Sequence, residues 1–212
     1  MHGDTTIGSI VVLAAEVAVG SGPILRTWDM AQASGFPLPS TKGRLLVAAP
    51  PLGDPNFDRT VVFMLEHNEG GAIGVVLNRR SDDLDVELDT WAELVAPPRE
   101  LFTGGPVEAN ALIALGKVRL PSGEVSVEPV DLEMDPAFLD PRPTTMRIFH
   151  GYSGWSAQQL DGELELGAWI VVPSKVDDVF TENPEGLWAE VLKRQPGRVS
   201  WLASAPTDLS TN

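Results

Sequence analysis

Glu66 and His67 stand side by side at the end of an apolar run, in VVFMLEHNEGGAIGVVLN (residues 61–78). A carboxylate beside an imidazole is the raw material of metal ligation and of proton transfer. Their spacing argues against both. Neighbours in a strand point to opposite faces, so the pair cannot jointly hold one ion. The chain has only three histidines, His2, His67 and His150, and its pattern is far from the His-Glu-x-x-His of a zinc site. No metal and no cofactor is expected.

Gly151-Tyr152-Ser153-Gly154-Trp155 is the second candidate. It approaches the nucleophile elbow G-x-S-x-G, but Trp155 occupies the last glycine position. His150 adjoins the motif, whereas a triad histidine comes from a distant loop. Ser153 acting with His67 or His150 is the hydrolase reading. Against it stands a tight turn, with Tyr152 and Trp155 as anchors under a following helix. Thr103-Gly104-Gly105-Pro106 offers glycine N–H groups that could converge on an anion, without the lysine of a P-loop. The simpler reading there is a turn with positive φ. Asp54-Pro-Asn-Phe57-Asp-Arg59-Thr60 places an acid, an aromatic ring and a cation immediately before a buried strand. Loops held by rigid strands are where binding residues concentrate. The structural alternative has Asp54 capping a turn and Arg59 paired with Glu66 or Asp58.

The elements that must position these residues follow from periodicity. GRLLVAAP (43–50) is a short apolar strand stopped by Pro50-Pro51. RTVVFMLEH (59–67) carries Val61, Phe63 and Leu65 on one face and Val62 and Met64 on the other. Strands apolar on both faces are central in a covered sheet. With GAIGVVLN (71–78) it forms a hairpin whose turn contains Gly70 and Gly71. In that frame Glu66, His67, Gly70, Gly71 and Asn78 are structural turn residues. DTWAELV (89–95) reads as a short helix capped by Asp89. LFTGGPV reads as strand then turn, and 109–116 with 124–130 as a strand pair across LPSG. Residues 145–151 and 168–173 are further strands, with a helix starting at Ser156 between them. The last helix is the clearest: Asn183 caps it, Pro184 is its first residue, and Leu187, Trp188, Val191 and Leu192 line one face. Consecutive strands with few, late helices predict an α+β fold with a mainly antiparallel sheet.

The charge narrows the function. Fifteen Lys and Arg against 30 Asp and Glu give a net charge of −15, and no basic run exceeds a pair. Such a chain is repelled by phosphate backbones, so direct nucleic-acid binding is disfavoured. No cysteine is present, which removes disulfides and thiolate chemistry. The apolar run 10–19 is too short to span a bilayer and lacks the charged flank of a signal peptide. The expected location is the cytoplasm.

The stretch LLVAAPPLGDPNFDRTVVFMLEHNEGGAIGVVLNRR, followed by FTGGPV, GYSGWSAQQLDGEL and AWIVVP, resembles the AlgH/YqgE family of bacterial proteins, and the ending LWAEVLKRQPGRVSWLASAPTDLSTN resembles its actinobacterial branch. The resemblance spans roughly residues 43–205. Family motifs fall on Pro50, Leu52, Asp54, Pro55, Phe57, Arg59, Val61, Val62, Glu66, His67, Gly74 and Asn78. They continue on Gly104, Gly105, Pro106, Gly151, Tyr152, Trp155, Gln159, Leu160 and Trp169. Arg80 departs from the proline usual there. The resemblance implies a sheet curled into a pseudo-barrel and no settled reaction; family members are often labelled transcriptional regulators. It divides the chain into an N-terminal appendage (1–41), one domain (42–205) and a tail (206–212).

Together these readings favour a non-catalytic, regulatory module that binds a small anionic ligand or a protein partner. The expected surface comprises Asp54, Phe57, Arg59, Gly104, Gly105, Tyr152 and Trp155. Arg59 and His67 lie roughly 26 Å apart on a straight strand, at about 3.3 Å per residue. They therefore cannot share one small pocket. The expectation is that the glycine turn and the Tyr152–Trp155 turn both sit at the Arg59 end.

Overall fold

The computed structural model describes residues 39–50, 54–81 and 90–205. Eight strands form one sheet: β1 (Arg44–Ala48), β2 (Val61–Asn68), β3 (Gly71–Val76), β4 (Phe102–Thr103), β5 (Val107–Arg119), β6 (Val125–Val130), β7 (Thr145–Ser156) and β8 (Trp169–Pro173). Helices α1 (Gln159–Glu165), α2 (Val176–Val179) and α3 (Pro184–Lys193) follow late in the chain, with short 3-10 turns at Pro136–Phe138 and Gly197–Ser204. The strand order is β6-β5-β7-β3-β2-β1-β8, and β4 lies parallel beside β7. The other strand pairs are antiparallel. The fold is therefore α+β, as the order of strands and helices predicts.

Two apolar clusters explain why the sheet curls. Val61 and Phe63 share an inner core with Val172 of β8, Ile113 and Leu115 of β5, and Leu187, Trp188, Val191 and Leu192 of α3. Strands far apart in the sheet order thus converge on one interior, and an ion pair from Lys117 of β5 to Asp177 of α2 (2.8 Å) ties the two ends together. The sheet is curled but not closed. Val62 and Met64 face the other way, into an outer cluster with Trp155, Trp169, Leu160 and Leu164 beneath α1. The two-sided apolar pattern of β2 is satisfied on both faces.

The hairpin forms as expected: Asn68 pairs with Gly71, His67 with Ala72 and Val62 with Val76, with a bulge between Met64 and Glu66. A Cβ on Gly71, where φ is +135°, would lie 2.3 Å from the Trp155 carbonyl oxygen. Only glycine lets β3 approach β7 here.

Three local expectations are corrected. The Tyr152–Trp155 segment is not a turn: β7 runs unbroken through it to Ser156, because Ser153, Gly154, Trp155 and Ser156 pair with Gly74, Ile73, Ala72 and Gly71. The following helix accordingly begins at Gln159, and Ser156 is not its N-cap. Residues 90–94 form turns, not a helix, because the Leu94 carbonyl and Ala96 N–H bond the backbone of Met146 in β7. The expected cap at Asp89 lies outside the described residues, as do the apolar run 10–19 and Leu52. Helix α3 matches its prediction: the Asn183 carboxamide accepts from the Gly186 N–H, Pro184 leads, and the four named apolar residues are buried.

Candidate functional site

The Asp54–Arg59 loop is built from its own side chains. The Asp54 carboxylate accepts the Asn56 N–H at 2.8 Å, and its carbonyl accepts from Phe57 and Asp58. Asn78, two residues past β3, then clamps the loop's exit. Its oxygen accepts the Val61 N–H (2.8 Å) and its amide donates to the Arg59 carbonyl (2.9 Å). Those bonds hold Arg59 at a φ of +52°, a conformation a non-glycine residue rarely adopts. Its guanidinium reaches neither Glu66 nor Asp58. It donates to the Ala205 carbonyl (2.5 Å) and sits 4.7 Å above the Trp188 ring.

Phe57 folds back over the outer face. Its ring stacks on Trp155 at 6.2 Å and meets Trp169 edge-on at 5.4 Å; the two indoles are 6.0 Å apart. Both indole N–H groups converge on one oxygen of Glu163 in α1, at 2.9 and 2.8 Å, while Gln159 donates to the other oxygen at 3.0 Å. The Trp rings are buried, Phe57 is half-buried, and Asp54 and Asp58 are exposed. An aromatic cluster thus carries a charged, solvent-facing loop.

Gly104 and Gly105 are buried against β7. The Gly104 N–H donates to the His150 carbonyl, and its own carbonyl accepts from the Val76 N–H. A Cβ on Gly105 would lie 2.3 Å from the Tyr152 backbone. This is a packing contact, and the Gly104 N–H is already bonded, so it cannot join Arg59 around an anion. Gly104 lies beside Val76, whose partner Val62 is near the Arg59 end of β2. The Trp155 backbone lies across β3 from His67, although its ring turns toward Phe57. Tyr152 is half-buried, and burial together with Glu108 raises its phenol above the ordinary range.

Ser153 is fully buried, and its hydroxyl donates to the Gly104 carbonyl at 3.0 Å. At the far end of β2, His67 is also buried. The Thr41 N–H donates to its Nδ1 (3.2 Å), and its Nε2 lies 3.5 Å from an Asp161 oxygen. The Thr41 hydroxyl also meets Nδ1, at 3.0 Å, but Thr41 is fully buried. Glu66 turns away to Lys42 at 2.8 Å, and that hydrogen bond holds its carboxyl below the usual range. Gly70 N–H bonds the Asn68 side chain at 2.8 Å and closes the hairpin turn.

A family model described as DUF179, AlgH-like, matches residues 45–200. The chain belongs to the AlgH-like family. It is similar to a UPF0301 protein of Streptomyces coelicolor, at 44% identity over 82% of this chain and 96% of that one. A UPF0301 protein of Mycolicibacterium gilvum is 43% identical over 80% of this chain and 89% of its own length. Among solved structures, a Corynebacterium diphtheriae protein superposes with a TM-score of 0.71 at 29% identity, covering 83% of this chain and 97% of that one. The AlgH protein of Pseudomonas aeruginosa gives 0.54, also at 29% identity, over 80% and 96%. No described helix is long and apolar enough to cross a membrane.

Sequence reasoning missed two residues of this AlgH-like domain. Glu163 gave no signal, because its indole partners come from two different strands. Arg147 did carry one: it is an arginine inside the apolar strand TMRIFHG, in step with Phe149 on the inward face.

Proposed function

We propose that this AlgH-like chain is a non-catalytic, regulatory binding module of the cytoplasm, taking a protein partner or a small anionic ligand. The observation that carries the reading is the state of Ser153. A nucleophile needs an exposed hydroxyl within reach of a base. This hydroxyl is buried and donates to a backbone carbonyl. The recognition surface for a protein partner is the Asp54–Arg59 loop, with Phe57 seated on Trp155 and Trp169. Asp54 and Asp58 supply negative charge, and the aromatic cluster fixes the backbone that displays them. Such a surface is pre-organised, which lowers the ordering cost of binding. Direct binding to DNA is not part of this function, because the charge of −15 opposes it.

The test is site-specific photocrosslinking in the native host. A photoreactive residue at exposed Asp58 should yield a discrete protein adduct that the Phe57→Ala variant loses. The same probe at exposed Ser122, on the β5–β6 turn, should not. Equal labelling from both positions, or none from position 58, removes the loop from the proposed function.

A further inference from the structure

Asp178 and Arg147 are charged side chains buried in the described fold, and they are treated differently. Asp178 is fully answered: both its oxygens bond Arg194 at 2.5 Å, and the Lys175 N–H adds a bond at 2.7 Å. Arg147, on β7, is 1% exposed and, among the described residues, has no carboxylate within ion-pair distance. Its Nη2 donates to the Pro97 carbonyl at 2.6 Å, and its guanidinium lies 4.4 Å over the Phe102 ring. Its Nη1 is buried with no hydrogen-bond partner among the described residues. A buried charge without a counter-ion is costly, and an unmatched buried donor adds to the cost.

The carboxylates nearby are held by another arginine. Arg80, whose backbone bridges Phe102, binds both Glu100 and Glu185 and is exposed. One exposed arginine therefore has two carboxylates, while the buried arginine beside it has none. Burial, and after it the positive charge of Arg80, lowers the pKa of Arg147 to about 10, against a smaller opposing pull from Glu100. We infer that the free edge of Arg147 is the binding site for a small oxyanion, a carboxylate or phosphate group, held at Nη1 with Arg80 as the outer cation. A charged guanidinium N–H makes a stronger hydrogen bond to such a group than a neutral donor does. The site deepens the proposed binding function: it rests on that reading for the anionic ligand and lies apart from the Phe57 surface.

Acetate, phosphate and chloride are titrated into the full chain at constant ionic strength, and Tm is read for the native protein, Arg147→Met and Arg59→Ala. Acetate or phosphate should raise Tm by about 3–6 °C at roughly ten times its Kd. Whichever of the two acts identifies the ligand's headgroup. The rise should vanish in Arg147→Met and persist in Arg59→Ala. If Arg147→Met does not fold, the Arg147 side-chain resonances of the native protein decide, since they should shift saturably with the same anion. A native Tm indifferent to all three anions, or a response kept by Arg147→Met, overturns the inference, as does a guanidinium signal that does not shift. Photocrosslinking from position 58 is independent of this result, so the anion site can fail while the loop surface stands.

Discussion

Glu163 receives the indole N–H groups of Trp155 and Trp169 on one carboxylate oxygen. Replacing it with alanine strands both donors, each at a cost of about 1–3 kcal/mol. Glu163→Ala should therefore lower unfolding free energy by about 2–6 kcal/mol in a urea titration, and Glu163→Gln, which keeps an acceptor, by less. At Glu66 the effect is one of pH. Its bond to Lys42 depresses the carboxyl pKa in the folded state. That contribution is present above the unfolded value and is lost as pH falls through the folded one. Stability of the native protein should thus fall more steeply between roughly pH 5 and pH 3 than that of Lys42→Ala. Equal slopes would show that the pair is not coupled to folding. Some of these roles were legible in the sequence. Asp54 and Asn78 act locally, on backbone that their own loop or hairpin brings near. Glu163 and Arg147 answer partners set by long-range pairing, which no local pattern encodes.

At the scale of elements, local periodicity located most strands and the last helix, since each carries its own apolar pattern and stop signals. It failed where pairing overrode local propensity. Gly151, Gly154 and the polar Ser153 look like a turn, yet β3 and β5 on either side recruit that backbone into a strand. The same recruitment undid the expected helix before Pro97, where Met146 takes the backbone bonds. Continuity of β7 depends on close approach at Gly71. Gly71→Ala places a methyl 2.3 Å from the Trp155 carbonyl oxygen in a conformation alanine avoids. The expected loss is about 2–4 kcal/mol. Hydrogen exchange should show faster opening of Ser153–Ser156 than of β5. Unchanged protection there would mean that β3 and β7 do not depend on this contact.

For the whole molecule, the polar residues that look reactive in sequence are bonded into the fold. His67 holds Thr41, Glu66 holds Lys42, Ser153 holds Gly104, and Arg59 holds the Ala205 carbonyl. Removal of residues 1–38 should leave this scaffold folded by circular dichroism, because their sequence carries no strong strand or amphipathic pattern and the deletion spares the Ser40 and Thr41 bonds to His67. Duplex DNA should bind more weakly than the usual non-specific range of roughly 10⁻⁴ to 10⁻⁶ M at physiological salt. The central claim is that this domain binds and does not catalyse through Ser153. Intact-protein mass spectrometry after exposure to a fluorophosphonate tests it most directly. The native chain should show no adduct on Ser153 under conditions that label a serine hydrolase to completion, and its spectrum should match that of Ser153→Ala. A stoichiometric adduct mapped to Ser153 and absent from Ser153→Ala would contradict the account.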